Sequence, residues 1–316
     1  MRMVINPELP VVSVVVPVYG CRNCLAELVD RLRSTLQEFP ADYEIILVND
    51  RSPDGAWTAI CELASADPKL KGILFSRNFG QHYAVTAGLD YASGDFVAVM
   101  DCDLQDRPED VPLLLRKVIC GADIAYGYSR FRGRDSFVRT CLRRVYFQLF
   151  DFLSGARERT VNLSFCLMKR KVRDSLVQYR EFSRHIAPLI RDVGFTFEGV
   201  EVTHLERTQG KSSYTFVMRV KLAIEGLVVY SAFLLRLGIY AGFLISLASF
   251  GFAAVVIYNR LFQEDHYPGW ASLAVMVLFS TGITIFLLGI MGIYLEKIFA
   301  ESRKRPLYIV DEKVNL

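Results

Sequence analysis

Five of the six residues from Val11 to Val16 are valine. β-Branched side chains suit extended backbone, and an apolar run without alternation suits a strand buried on both faces of a parallel sheet. Pro17 is expected to end that strand. Leu25, Leu28, Val29, Leu32 and Leu36 then recur at helical spacing. The same alternation repeats down the chain. Tyr43 to Val48, Gly72 to Phe75, Asp95 to Met100, Ala122 to Tyr128 and Phe195 to His204 read as strands. Helices are expected around Trp57, Ile60 and Leu63, over Gln81 to Tyr91, through Val111, Leu114, Leu115 and Val118, and from Ser136 to Phe152. Repeated β-α-β units predict an α/β fold with a mainly parallel, Rossmann-like sheet and helices on both faces.

The composition changes after Glu225. Leu237 to Tyr258 and Ala271 to Tyr294 are apolar runs without a charge, and roughly 20 residues suffice to span a bilayer core. They predict a two-helix transmembrane hairpin over residues 237–294, flanked by Tyr258, Tyr267, Trp270 and Tyr294 as interfacial aromatics. Arg219, Lys221 and Arg236 precede it, and Lys297, Arg303, Lys304 and Arg305 follow. The connecting loop has Arg260 alone. This asymmetry predicts a multi-pass protein with both termini on the cytoplasmic side. Residues 215–236 mix an apolar stripe with charge and suit an interfacial amphipathic helix; residues 295–316 read as a cytoplasmic tail. The net charge of +3 gives no ground for a nucleic-acid partner, and none is expected. A two-helix anchor offers a face on which copies of the chain can pack as a homo-oligomer.

The seven cysteines are scattered, and a cytoplasmic domain would keep them reduced. Cys21 and Cys24 form one C-x-x-C with no second pair to complete a zinc site, so they are expected to be small packing residues.

No G-x-G-x-x-G follows the first strand and there is no P-loop. That weighs against nicotinamide, flavin and P-loop chemistry. The chemical signal lies instead at the carboxyl ends of strands: Pro17-Val18-Tyr19, Asn49 to Gly55, and Asp101-Cys102-Asp103-Leu104-Gln105. These ends share one edge of a parallel sheet, where open α/β sheets bind ligands. Paired carboxylates there suit Mg²⁺ or Mn²⁺ shared with substrate phosphates. Asp50 is placed to accept a hydrogen bond from a nucleoside. Blander alternatives exist for the last two. Asp106 before Pro108 suits a helix cap, and Ser52-Pro53-Asp54-Gly55 suits a plain turn.

Taken in order, these stretches resemble family 2 glycosyltransferases of the GT-A fold. More narrowly, the chain is similar to polyprenyl-phosphate glycosyltransferases of the dolichol-phosphate-mannose-synthase and bacterial undecaprenyl-phosphate glucosyltransferase type. The resemblance covers about residues 11 to 310. It rests on Val16 to Tyr19, Asn49 to Gly55, Arg77-Asn78-Phe79-Gly80-Gln81-His82, Asp101 to Gln105, Arg207-x-x-Gly210-x-Ser212-x-Tyr214, and Arg305-Pro306-Leu307-Tyr308. It implies a catalytic domain over residues 1–214 and inverting transfer of a sugar from a nucleotide sugar, UDP-glucose first, to a polyprenyl phosphate such as undecaprenyl phosphate. Asp103 and Gln105 would hold Mg²⁺ or Mn²⁺, with Asp101 nearby. Pro17, Tyr19, Asp50, Arg77, Asn78, Gly80 and Asp101 would form the donor pocket, and Arg207 would act on the diphosphate. Two departures stand out. Gly20-Cys21 replaces the family's frequent Asn-Glu, and Ser212-Ser213-Tyr214 replaces Ser-Lys-Tyr, leaving the lysine at Lys211.

Six arginines lie between Arg130 and Arg144. Guanidinium groups pair well with phosphate, and the same stretch also suits anionic headgroups of the lipid bilayer. By resemblance, Arg130, Arg139 and Arg143 are the acceptor-phosphate candidates. A phosphate monoester is largely a dianion at neutral pH, since its second pKa is about 6, so no strong base is required. His82, His185 and His204 are accordingly expected to be structural. One alternative is transfer to an unphosphorylated lipid such as diacylglycerol, with Asp101 or His82 as base. Another is an inactive scaffold of the GT-A fold, against which Asp101, Asp103 and Gln105 argue.

Overall fold

The valine-rich run folds as strand β1 (Val11–Val18), and every residue from Val12 onward in it is buried. Pro17 lies inside this strand and does not end it. Val15 O accepts from Met100 N–H on one side of β1, and Val18 O accepts from Asp50 N–H on the other. Alternate residues face alternate neighbours, so the N–H that Pro17 lacks points past Val15–Val99, the last pair of the ladder on that side. A proline is tolerated where no ladder bond is lost.

The computed structural model of the protein describes residues 11–38, 42–128, 164–182, 186–203, 233–262 and 269–316. Arg130, Arg139, Arg143, Arg207, Lys211, the expected helix from Ser136 to Phe152 and most of the expected interfacial helix lie outside the described residues.

Along the chain, β1 is followed by α1 (Arg22–Gln37), β2 (Asp42–Asn49), α2 (Ala56–Ala66), β3 (Leu70–Phe75), α3 (Gln81–Tyr91) and β4 (Phe96–Val99). A 3₁₀ turn at Pro108–Asp110, capped at Arg107 and not at Asp106, leads into α4 (Val111–Ile119). β5 (Ile124–Tyr128), β6 (Cys166–Lys169), α5 (Arg170–Gln178), α6 (Ile186–Asp192) and β7 (Phe197–Glu201) complete the central part. Two long helices, α7 (Phe233–Phe262) and α8 (Trp270–Ser302), precede a last strand, β8 (Val310–Val314).

The described strands form one sheet in the order β7-β5-β6-β4-β1-β2-β3-β8. β1 pairs in parallel with β2 and β4, and β2 with β3. β6 and β8 run antiparallel to their neighbours. Side chains alternate across β1: Val14, Val16 and Val18 pack under α1, α2 and α4, whereas Val15 packs under α3. This is the three-layer arrangement expected of a sheet buried on both faces. α3 approaches β1 so closely that a Cβ on Gly88 would lie 2.1 Å from a Val15 methyl.

Contacts divide the chain into two compact units, one of Met1–Thr140, Arg159–Ser213 and Arg305–Leu316, the other of Cys141–Glu158 and Tyr214–Lys304. The sheet belongs to the first. In the second, α7 and α8 each cover one of the two uncharged apolar runs. Among the described residues, one segment, Phe279–Ser302, is long and apolar enough to cross a membrane, with a mean hydropathy of 1.8 and no burial within the protein. It starts eight residues after the run at Ala271 and extends into the charged end of α8. Along α7, Tyr240, Phe243, Leu244, Leu247 and Phe252 are exposed.

Candidate functional site

Because β1 to β4 are mutually parallel, the four loops at their carboxyl ends emerge on one edge of the sheet. That edge collects Tyr19, Asp50, Arg77, Asn78, Gly80, Asp101, Asp103 and Gln105, with Pro17 buried beneath in β1. Arg130, Arg139, Arg143 and Arg207 lie outside the described residues.

Asp50 organises its neighbours. It is 3% exposed. One carboxylate oxygen accepts from Phe79 N–H at 2.6 Å and the other from Gly80 N–H at 2.8 Å. Burial raises the Asp50 carboxyl above its usual range, and the two N–H groups and the Arg77 charge pull it partly back. Gly80 adopts φ +111°, where a side chain would be strained, and its carbonyl starts α3 by accepting from Tyr83 and Ala84 N–H. Asp50 thus ties β2 to the Arg77–Gly80 loop. The exposed Arg77 guanidinium sits 4.2 Å over the Phe79 ring, a cation–π placement that limits its range.

The Ser52–Gly55 segment is a turn, and it also does more than turn. Ser52 Oγ accepts from Gly20 N–H at 2.8 Å and donates to Asp54 at 2.6 Å. Asp54 further accepts from Arg22 and Ala56 N–H, which fastens the starts of α1 and α2 together. Burial pushes the Asp54 carboxyl up, but these donors outweigh it and leave the group below its usual range. Tyr19, half-exposed at the head of this construction, presents its ring at the rim.

In the Asp101–Gln105 loop, Asp101 Oδ1 accepts from the Gln81 amide at 2.6 Å, and Asp103 Oδ1 accepts from Gln105 N–H at 3.2 Å. Leu104 between them takes φ +60°. Gln81 belongs to the Arg77–His82 stretch in the sequence, and its bond to Asp101 emerges only in the fold.

The cysteines correct the sequence expectation. Cys21 is bonded to Cys102, with their Cα atoms 6.4 Å apart. Cys21 packs in the core as expected, but it is not reduced: it ties the loop after β1 to the residue between Asp101 and Asp103. Cys24 is a free, buried thiol, pushed above its usual range by burial and by the charges of Asp103 and Glu27.

Do these residues fit a divalent cation? Among the described residues no group of three or more His, Cys, Asp or Glu side chains could hold one alone. Mg²⁺ and Mn²⁺ do not need such a cage, because they are commonly held by one or two carboxylates plus substrate phosphates. Two carboxylates one residue apart, joined by the Gln105 side chain, are oxygen donors of that class. His82 lies on α3, where its carbonyl accepts from Thr86 Oγ1.

A family model described as glycosyl transferase family 2 matches residues 13–177. An uncharacterized glycosyltransferase of Bacillus subtilis, YkcC, is 34% identical over 307 residues, covering 96% of this chain and 94% of its own length. A bactoprenol glucosyl transferase of Shigella phage SfV is 32% identical over 299 residues, covering 95% of this chain and 97% of its own. In structure, the chain resembles a glucosyl-3-phosphoglycerate synthase from Mycobacterium tuberculosis, solved with Mn²⁺, UDP-glucose and phosphoglyceric acid. The TM-score is 0.52 at 16% identity, over 70% of this chain and 79% of that one. The mainly parallel α/β sheet is the GT-A fold.

Proposed function

The chain belongs to glycosyl transferase family 2 and is a glycosyltransferase, and from that premise we propose that it transfers a sugar from a nucleotide sugar to a polyprenyl phosphate. The observation that carries this is the 32% identity, along 95% of the chain, to a bactoprenol glucosyl transferase. UDP-glucose is the first donor to test. The acceptor is undecaprenyl phosphate at the cytoplasmic face of a bacterial plasma membrane. Residues 237–294 form the transmembrane hairpin and residues 215–236 lie in the interface. Exposed apolar side chains along α7 and α8 support the hairpin.

Chemically, an oxygen of the lipid phosphate attacks the anomeric carbon, the bond to the donor diphosphate breaks, and configuration inverts. The products are the glycosylated lipid phosphate and a nucleoside diphosphate. The attacking group is already anionic, so the protein's task is to orient it and to stabilise the leaving group. Tyr19 offers a ring beside the base, and Asp50 holds the Arg77–Gly80 loop in the shape that meets the donor. Arg77 and Arg207 supply guanidinium donors to the diphosphate. Asp103 and Gln105, with Asp101 oriented by Gln81, would hold Mg²⁺ or Mn²⁺, which when bound would supply Lewis-acid stabilisation of the diphosphate. Arg130, Arg139 and Arg143 bind the acceptor phosphate.

The test uses purified full-length protein with a short polyprenyl phosphate, Mg²⁺ or Mn²⁺, and a panel of nucleotide sugars. Nucleoside diphosphate release should require both lipid phosphate and cation. Equal release with diacylglycerol as the acceptor would overturn the acceptor assignment.

A further inference from the structure

We propose that the Cys21–Cys102 bridge is a redox-modifiable site, opened and closed by a dithiol–disulfide couple, that tunes donor binding by tying or releasing the Asp101–Gln105 loop. The proposal rests on the reading of the β1 and β4 loops as donor and cation loops.

Placement is the first argument. The bridge does not staple a chain terminus or a remote loop. It joins residues 81 apart in sequence, one beside Tyr19 and the other between the two carboxylates. The hydrogen bonds described above tie the β1 loop to the β2 loop, and the β4 loop to α3. The bridge is the covalent link between those two pairs. When it opens, the cation loop keeps its anchor on α3 but loses its fixed distance from Tyr19.

Chemistry is the second. Disulfides in reducing compartments are typically transient and catalytic or redox-sensing, and the proposed membrane topology places this edge in such a compartment. Both bridged residues are 8% exposed, while Tyr19 and Gly20 next to Cys21 are exposed and Asp101 and Asp103 beside Cys102 are half-buried. A small thiolate therefore approaches from the rim of the donor pocket. It attacks one bridge sulfur and forms a mixed disulfide; the second thiol of the same reagent then closes its own disulfide and leaves. Two electrons and two protons pass from the dithiol to the bridge, giving the Cys21 and Cys102 thiols. Oxidation is the reverse.

Linkage gives a quantitative consequence. If opening the bridge weakens donor binding, donor binding must make the bridge harder to reduce by the same factor. A misplacement of the cation loop is expected to raise the donor Kd about tenfold, which converts to about 30 mV for a two-electron couple.

The experiment equilibrates the full-length protein with reduced and oxidised dithiothreitol at stepped ratios. Free thiols are alkylated, and the Cys21–Cys102 cross-linked peptide is quantified by mass spectrometry, with and without UDP and Mg²⁺. Donor and acceptor KM are measured in the two end states. The expected result is a cross-link that titrates, a donor KM higher in the reduced protein, an unchanged acceptor KM, and a midpoint that shifts when UDP is bound. Cys102→Ser and Cys21→Ser should hold the donor KM at the reduced value under every condition, while Cys120→Ser, an exposed thiol elsewhere, should respond as the parent does. A bridge that never forms, or a donor KM equal in both states, overturns the proposal. If every nucleotide sugar fails to turn over, the donor reading has failed instead; the titration of the cross-link with dithiothreitol then still decides whether the bridge is a redox-modifiable site.

Discussion

Asp50→Asn probes how the donor edge is held together. The substitution keeps the shape of the side chain and removes its charge. Asparagine has one acceptor oxygen where Asp50 has two, so either Phe79 or Gly80 N–H comes to face an amide NH₂. One charge-assisted hydrogen bond is lost, worth about 1.5–3 kcal/mol, and a buried N–H is left without an acceptor. Against this, the mutant escapes the desolvation that raises the Asp50 carboxyl. Setting the second term against the first leaves a net cost of about 2 kcal/mol. Because the Gly80 carbonyl starts α3, the cost reaches global stability, and a domain of this size should lose about 4–8 °C in Tm. Full expression of that cost at the donor loop would raise the donor KM by about thirtyfold, and partial expression by about tenfold. Kinetics by nucleoside diphosphate release and thermal unfolding read the two effects. The pH dependence has a definite sign. The folded pKa of Asp50 is raised, so its contribution to stability is greatest below the unfolded value and is lost as pH rises from about 3.9 through the folded value. Asp50→Asn should abolish that slope. An unchanged Tm together with an unchanged donor KM would refute the organising role.

Arg31 and Glu109 give the opposite slope. Arg31 holds the Glu109 carboxyl down to about 2 through two hydrogen bonds at 2.7 and 2.8 Å. This stabilisation is present above the unfolded pKa of about 4.3 and is lost as pH falls toward about 2. Since Glu109 is more than one-third exposed, a double-mutant cycle should return no more than about 1 kcal/mol. Asn315→Ala removes an amide that donates to the carbonyls of Ala64, Asp67 and Leu70; it should cost about 1–2 kcal/mol in denaturant unfolding with kcat unchanged. Asp103→Ala should reduce nucleoside diphosphate release by at least about a hundredfold, and full activity in that variant would remove the cation assignment.

Much of the fold was legible because burial on both faces leaves a plain signature. β1 to β5 and α1 to α4 follow from uninterrupted apolar runs and helical spacing. β6 was not legible: four residues, Cys166–Lys169, are too few to show a period, and an antiparallel strand inserted between β4 and β5 breaks the alternation that made its neighbours readable. β8 was hidden differently. Val310–Val314 has charges at its three central positions, which reads as a solvated tail until an edge to pair with is known. The candidate site divides the same way. Asp50, Asp101 and Asp103 are visible because strand ends carry them. The Cys21–Cys102 pairing needs the spatial adjacency of β1 and β4, which a separation of 81 residues conceals.

The position of β8 explains why residues after the long apolar helices belong to the same compact unit as the rest of the sheet. Without it, β3 would be an edge strand with unpaired N–H and C=O groups, which natural sheets avoid. β8 covers that edge from Gly72 to Phe75 and presents its own charges outward. Two kinds of contact hold it, and their sizes differ. Asp311 pairs with Arg51 at 2.6 Å, next to Asp50, but both side chains are nearly half-exposed, so the pair contributes about 0–1 kcal/mol. Tyr308 stacks on the buried Phe75 with centroids 5.1 Å apart and donates to Asp90 at 2.7 Å. Arg180 also grips Asp90, with two bonds of 2.8 Å. Tyr308 is partly buried, so its burial is worth at most about 1.5–3 kcal/mol, before the ladder and the Asn315 amide are counted. The ladder and Tyr308 therefore hold the tail, and Arg51, in its left-handed conformation at φ +53°, takes its direction from an Asp311 that is already in place.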